Sequence, residues 1–379
     1  MLRTLKIVSL AIFIVFSSIY VANAQIVFGD SPAASARFVY QSWTIENDLT
    51  GEESDLTQWY FPVYGFIPVA ENLEIHVSSA TAGSTSDSSG SETSITGLND
   101  TRVSMLRSFL EDRLMLGVGL NLPTGKATLD PDQSGLGRLL TEEFLNVPSK
   151  TYGEGFGFNL ETAYAEQVGK FTLGVGAAYL INASYSPVDD VDSYNPGNKF
   201  TIGGNVICPH RFGSVYTYLR HNVYGTSSQG DIDVYKVGGI TEFALGSTFD
   251  YEQFEINGGI RAIFRQTDSR YVSGSIVKFE HINYGSDFRF YSNLGYRLEN
   301  IGTTLILLDY KRVGSNGFDV NDDEYEGKSN LFGIGVGFTK QATEQIDLSA
   351  NIRTYTGSAN DDNLSLSGFE LALSARVTL

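Results

Sequence analysis

Apolar and polar side chains alternate at every second residue along most of this chain. The last segment is a clear case: Leu371, Leu373, Ala375, Val377 and Leu379 fall on one face, and Glu370, Ala372, Ser374, Arg376 and Thr378 on the other. A period of two is the signature of a strand with one oily side and one wet side. In the stretch 113–122, Leu114, Leu116, Val118, Leu120 and Leu122 oppose Arg113, Gly117, Gly119 and Asn121. In 251–265, Phe254, Ile256, Ile260, Ala262 and Phe264 oppose Glu255, Asn257, Arg261 and Arg265. The pattern predicts strands at 36–46, 56–67, 72–82, 100–109, 113–122, 153–166, 170–183, 198–208, 212–223, 233–246, 251–265, 286–298, 302–313, 329–340, 345–357 and 366–379. Most are long enough to cross a bilayer when tilted. The expected fold is therefore all-β, an antiparallel up-and-down transmembrane barrel of about 16 strands. The alternative of 14 drops 56–67, which contains Pro62, and treats Ser78–Gly97, rich in Ser, Thr and Gly, as a segment tucked inside.

The connections alternate in length. Short ones are expected at Val69–Glu71, Leu110–Asp112, Gln167–Gly169, Pro209–Arg211, Ser247–Asp250, Glu299–Ile301 and Gln341–Glu344. Long ones are expected at Asn47–Asp55, Gly83–Asn99, Pro123–Tyr152, Ser184–Gly197, Gly225–Ile232, Gln266–Gly285, Gly314–Lys328 and Ser358–Ser365. Short periplasmic turns and long external loops are the topology of outer-membrane barrels.

Residues 1–24 carry Arg3 and Lys6, an apolar run Ile7–Val15, and Ala22-Asn23-Ala24 before Gln25. That reads as a signal peptide, leaving 25–379 as a single barrel domain. Elsewhere no apolar run approaches the ~18 residues of a membrane helix. The mean hydropathy of −0.09 is compatible with a membrane barrel, because alternation hides the lipid-facing half from any average. The net charge of −18 argues against a nucleic-acid partner, which needs a basic footprint. One cysteine, Cys208, excludes an intramolecular disulfide.

Catalytic chemistry finds no support. The four histidines, 76, 210, 221 and 281, lack metal-ligand spacing, and no GxSxG elbow stands with a plausible partner, although His281 lies near Ser275 and Glu280. Leu122-Pro123-Thr124-Gly125-Lys126-Ala127 fails as a phosphate loop, since Ala127 stands where Ser or Thr is needed. No enzyme, metal site or cofactor is expected. Acidic runs such as Glu52–Asp55, Asp189–Asp192, Asp319–Glu326 and Asp361–Asp362 read either as solvated loops or as divalent-cation bridges to anionic lipopolysaccharide.

The inward face carries charges of both signs: Arg220, Glu255, Arg261, Arg289, Arg297, Asp309, Lys311, Asp347, Arg353, Glu370 and Arg376. They must face a lumen, because a charge facing lipid near the midplane costs ~2–4 kcal/mol. Two readings stay open: a hydrated passage whose field they set, or cross-strand pairs filling a closed bore. Aromatics near predicted strand ends (Trp43, Trp59, Tyr60, Phe61, Tyr64, Tyr216, Tyr218, Tyr224, Tyr284, Phe288, Tyr310 and Tyr355) suggest interfacial girdles. Inward glycines (153, 155 and 157; 174 and 176; 333, 335 and 337) would let an inner segment approach the wall.

Gly97-Leu98-Asn99-Asp100-Thr101, a hairpin, and Gly119-Leu120-Asn121-Leu122-Pro123-Thr124-Gly125 carry a likeness over about residues 36–180. So does the run from Phe61-Pro62-Val63 through Pro68 to Leu73. The chain resembles the outer-membrane β-barrel transporters linked to the meta-pathway of phenol degradation, distant relatives of the channels for long-chain fatty acids and aromatic hydrocarbons. That family shows G-[LI]-G-D and G-x-x-x-P-T-G elements; here Asn99 replaces the middle glycine. With the first expected strand starting soon after the expected cleavage, the N-terminal hatch of the hydrocarbon channels would be missing. The resemblance implies a passive outer-membrane channel for small hydrophobic or amphiphilic molecules. Its mouth would be narrowed by the loop Pro123–Tyr152, with Gly125, Lys126, Leu139, Leu140, Phe144 and Leu145 lining the constriction and Leu139–Leu145 folding inward as a short helix. The rivals are a general hydrophilic porin and a non-conducting structural or adhesive barrel. Expected partners are outer-membrane lipid and lipopolysaccharide, a small-molecule solute, and the barrel assembly machinery through the C-terminal strand.

Overall fold

The computed structural model describes residues 31–88, 90–189, 193–272 and 275–379, with side chains outside 272–280. The expected signal peptide 1–24, the residues Asp190 and Asp192, and the side chains of Ser275 and Glu280 lie outside this description. The strands are β1 (Ala33–Asn47), β2 (Glu52–Ala70), β3 (Leu73–Ser88), β4 (Ser91–Leu98), β5 (Thr101–Phe109), β6 (Leu114–Leu122), β7 (Gly157–Val168), β8 (Phe171–Asn182), β9 (Tyr194–Asn195), β10 (Lys199–His210) and β11 (Gly213–Tyr224). They continue with β12 (Ser227–Gln229), β13 (Ile232–Lys236), β14 (Ile240–Tyr251), β15 (Phe254–Arg265), β16 (Asp268–Val272), β17 (Ser275–His281), β18 (Asp287–Leu298), β19 (Gly302–Val313), β20 (Ser329–Thr343), β21 (Ile346–Ala359) and β22 (Leu364–Thr378). A single-turn 3-10 helix, Pro131–Gln133, leads into the helix α1 (Ser134–Thr141) between β6 and β7.

The wall is a closed antiparallel barrel of sixteen strands among the described residues. β1 pairs with β2 on one side and with β22 on the other, from Ala33↔Thr378 to Asn47↔Leu364. That seam removes both sheet edges, so the ladder of the wall closes on itself without water, as a bilayer requires. β4 and β5 count as one strand interrupted at Asn99–Asp100: β3 pairs with β5 up to Ser78 and with β4 from Thr81. The segment Ser78–Gly97 is therefore wall and not an inner segment, and the fourteen-strand alternative is excluded. Pro62 sits inside β2, where the pairing with β1 skips from Ala36↔Val63 to Val39↔Tyr60. A ring without an N–H is tolerated at such a gap.

Seven tight turns close one end of the barrel, and the other end carries the longer connections together with the short links of β1–β2, β3–β4 and β21–β22. Several connections depart from the sequence expectation. Asn47–Asp55, Gly83–Asn99 and Ser358–Ser365, expected as long loops, are mostly strand, and only 48–51, 89–90 and 360–363 join β1 to β2, β3 to β4 and β21 to β22. The chain 233–246 does not form one strand: β13 ends at Lys236, and β14 starts at Ile240 and runs on to Tyr251. Its hairpin turn is Glu252–Gln253, with Glu252 at φ +54°, and not Ser247–Asp250. Alternation simply continues through Gly246–Tyr251, while Gly238–Gly239 supplies the break. The long connections also hold structure of their own, because β9, β12, β13, β16 and β17 form a second, five-stranded sheet at the long-loop end. Their strands are short and lack a two-sided pattern, so periodicity does not mark them.

Parity assigns the faces. Leu219, Ile256, Ile306, Ile334, Ile352 and Leu373 are all more than a third exposed on the outer face, as lipid-facing side chains should be. This corrects the girdle reading for more than half of these aromatics, Tyr224 among them, since it has the parity of the inward Arg220 on β11. Trp43 and Tyr355 are buried inside the bore, stacked with ring centroids 5.2 Å apart, and Tyr60, Tyr64, Tyr216 and Tyr218 share that inner face. Phe61, Phe288 and Tyr310 remain on the lipid side. Residue type alone cannot separate the two positions, because a strand turns adjacent aromatics to opposite faces.

Candidate functional site

The bore is crossed by the connection between β6 and β7. Leu136, Leu140, Leu145, Val147 and Tyr152 from this inner loop form one buried cluster with Trp43 and Ile45 of β1, Leu56 of β2, Ala82 of β3, Ile95 of β4, Leu331 of β20, Tyr355 and Ala359 of β21 and Leu366 of β22. Burying about 25 cal/mol per Å² of apolar surface holds the loop against one side of the wall. Of the residues expected at a constriction, Leu140 and Leu145 are fully buried in this cluster, and Leu139 and Phe144 pack against it half-buried. The helix is α1, so Leu139 and Leu140 lie in its last turn while Phe144 and Leu145 follow it. The expected helix Leu139–Leu145 thus starts and stops earlier, because Glu142 takes an extended conformation (φ −56°, ψ 127°) at the cap. Lys126 reaches Gln133 Oε1 at 2.8 Å and Asp130 at 3.5 Å.

Both ends of the inner loop are tied by Asp100. Its Oδ1 accepts from the Gly125 amide at 3.0 Å, and its Oδ2 accepts from the Glu154 amide at 2.6 Å and from Asn121 Nδ2 at 3.1 Å. Thr124 Oγ1 accepts from the Thr101 amide at 2.9 Å. The two sequence elements Gly97–Thr101 and Gly119–Gly125 are therefore one junction. They meet where β4 gives way to β5 and β6 ends. Gly125 is required there, since a Cβ on it would lie 2.2 Å from the Tyr152 carbonyl oxygen.

Two buried glutamines add a contact the sequence reading missed. Gln41 Nε2 donates to the Asn146 carbonyl at 3.0 Å and to Glu370 Oε2 at 2.7 Å. Gln58 donates to the Ser149 carbonyl at 2.8 Å and accepts from the Ser149 amide at 2.9 Å. Gln58 thus pairs both ways with the Ser149 peptide as another strand would, whereas Gln41 holds one loop carbonyl and accepts from Trp43 Nε1. The available signal was an amide at an inward position between apolar inward neighbours, such as Val39 and Trp43.

On the far side an ion cluster grips the loop. The Glu143 carboxylate lies 3.1 Å from Lys150, 3.2 Å from Arg265 on β15 and 3.9 Å from Lys311 on β19, and Lys311 also donates to the Glu143 carbonyl. Burial alone would raise the Glu143 carboxyl, but Lys150, Lys311 and Arg265 together hold it below the usual range. The adjacent Glu142 has the opposite setting: burial, the Glu326 carboxylate and Glu143 push it up to about 7. The loop thus touches wall strands β1 to β4, β15 and β19 to β22.

The expected lumen charges all fall on the inner face. Arg261 Nε donates to Glu242 Oε1 at 2.5 Å, and Arg220 and Tyr218 donate to the same carboxylate. Arg289 meets Asp309 at 2.6 Å, Arg353 meets Glu370 at 3.7 Å, and Arg297 meets Asp250 at 3.1 Å and Glu255 at 3.4 Å. Asp347 stands opposite Arg376 in register. Cross-strand pairing is therefore present, and it is concentrated from β11 to β22. The opposite wall, β6 to β10, presents small inward residues such as Gly119, Ala163, Gly176 and Gly203. Glu242 lies within the expected strand 233–246 yet is not among the expected lumen charges. Inward glycine has a local cause at Gly333, where a Cβ would lie 2.6 Å from the Tyr355 ring. Beside the returning arm of the inner loop is a cavity of about 320 Å³, with Tyr60, Tyr64, Asp100, Arg102, Asn121 and Glu154 in its lining. Cys208 is a free, buried thiol.

No protein-family model matches the chain, and no curated protein matches it. Solved structures do. A FadL homologue from Pseudomonas aeruginosa matches with 10% identity over 92% of this chain and 91% of that one, at a TM-score of 0.44. The outer membrane protein OprD from Pseudomonas aeruginosa matches with 11% identity over 95% and 98%, at 0.42. The monoaromatic hydrocarbon channel CymD matches with 10% identity over 95% of each chain, at 0.41.

Proposed function

We propose that this protein is a passive outer-membrane channel for small hydrophobic or amphiphilic molecules, gated by the inner loop 123–156. The observation that carries this reading is the loop's two-sided seat in the bore. One flank is apolar and packed on β1, β2, β20 and β21; the other is held to the wall by a single carboxylate, Glu143, between Arg265 and Lys311, with Lys150 of the loop itself beside it. A barrel that needed only to be filled gains nothing from a buried charge cluster, whose desolvation offsets most of its attraction. A segment that must leave its seat and return can use such a latch. The lining beside the loop, tyrosines with Asp100, Arg102 and Glu154, suits a solute with an apolar body and a polar end. The finer assignment, a transporter linked to the meta-pathway of phenol degradation, rests on the motif likeness at Gly97–Thr101 and Gly119–Gly125. In this reading the short turns face the periplasm and the second sheet faces outward.

Uptake into proteoliposomes over a panel from phenol through fatty acids to sugars tests the proposal. Phenol-like or amphiphilic solutes should enter faster than sugars of similar size, and deletion of Thr124–Lys150 should raise uptake of both. Rapid sugar flux through the intact protein would make it a hydrophilic porin. Envelope leakage in the deletion strain without any change in purified permeability would make it a structural barrel.

A further inference from the structure

The outer wall carries a groove of about 630 Å³ that spans β3 to β10, within the roughly 300–1,000 Å³ of ordinary ligand sites. Register explains it. One row of outward side chains runs Arg107, Leu116, Thr162, Ala177 across four paired strands. The next row, on the long-loop side, runs Met105, Val118, Leu160, Tyr179, Phe200. The second row is bulky throughout, while the first falls to Thr162 and Ala177, so a trough lies beneath a ledge. The trough is also inclined. Arg107 and Leu116 are each two residues from the short-turn end of their strands, whereas Thr162 and Ala177 are each six residues from theirs. It therefore rises from the membrane border into the apolar band.

At its low end Arg107 is exposed, with its guanidinium 5.2 Å from the Phe109 ring centroid. Among the described residues no carboxylate pairs with it. An unpaired cation on a lipid-facing wall is costly unless it reaches an anion at the headgroup level. We propose that this groove is a binding site for one phospholipid of the leaflet on the short-turn side, with the phosphate on Arg107 and an acyl chain along Thr162 and Ala177. Charge and shape agree on this occupant: an anionic head at the border, an apolar tail climbing inward. Naming that leaflet rests on the outer-membrane orientation above, but retention of lipid is read independently of any solute flux.

Native mass spectrometry of the barrel released from membranes in mild detergent tests the site. The protein should keep one phospholipid after detergent is stripped, and Arg107→Gln should cut the retained fraction about tenfold, the worth of one charge-assisted hydrogen bond. Ala177→Phe should do the same with the cation in place. Lys340→Gln, which removes a lipid-facing cation on the other wall, should change nothing. Gel mobility without heating verifies that each variant is folded. If a variant does not fold, a phospholipid with a photoreactive acyl chain should label peptides of β7 and β8 in the unaltered protein. Equal retention in Arg107→Gln, equal loss in Lys340→Gln, retained lipopolysaccharide or free fatty acid in place of phospholipid, or labelling only elsewhere on the barrel overturns the proposal.

Discussion

Replacing Glu143 by Gln should unlatch the inner loop without altering the wall. Glu143 is three-quarters buried, and its partners Arg265 and Lys311 are about nine-tenths buried. Removing one member of a buried ion pair typically costs 3–5 kcal/mol, because the other charge is left without a partner. Here the figure must be reduced: Lys150 is more than a third exposed, so that contact is worth under ~1 kcal/mol, and glutamine keeps one acceptor oxygen. About 2 kcal/mol should remain, which shifts the ratio of unseated to seated loop roughly thirtyfold. Single-channel recording in planar bilayers reads that ratio as open to closed time. The open fraction of Glu143→Gln should rise by about that factor, and raising ionic strength should narrow the gap by screening the latch in the unaltered protein. Adding Lys311→Met should return part of the closure, since it removes the cation left stranded. An open fraction unchanged in folded Glu143→Gln protein would refute the latch.

Other outcomes follow from the same geometry. Glu142, with its carboxyl raised to about 7, favours the seated loop fully at pH values below the ordinary carboxylate range. That contribution is lost as pH rises through 7, so conductance should increase from pH 5 to pH 8 and lose this dependence in Glu142→Gln. Leu140→Ala removes a fully buried side chain of the loop. It should weaken loop seating by ~2–4 kcal/mol, measured as faster trypsin cleavage at Arg138 and Lys150, while the barrel's resistance to unfolding stays the same. Leu373 lies mid-strand on the lipid face. Leu373→Arg should cost ~2–4 kcal/mol in refolding titrations into vesicles, and Ser374→Arg, one residue along and facing the bore, should cost far less. Equal penalties would contradict the assignment of faces.

The sequence alone determined the wall. A closed transmembrane sheet imposes one rule on every strand, oily outward and polar inward, and that rule is local, so Leu371–Leu379 or Leu114–Leu122 declares its face without knowledge of any partner. Tight turns are local too, which is why most hairpins fell where turn residues interrupt the alternation. Only the tertiary structure decided what fills the bore. The inner loop has no wall to its own pattern: Gln58 meets Ser149 across 91 positions of chain, and Lys311 meets Glu143 across 168. Such contacts are set by the closure of β1 on β22 and by where Asp100 ties the ends of the loop. The same closure put Trp43 and Tyr355 inside while Phe61 and Phe288 face lipid, and it brought Arg220 and Arg261 to one glutamate. Alternation fixes which way a side chain points, but what it meets there depends on how far round the ring its partner stands.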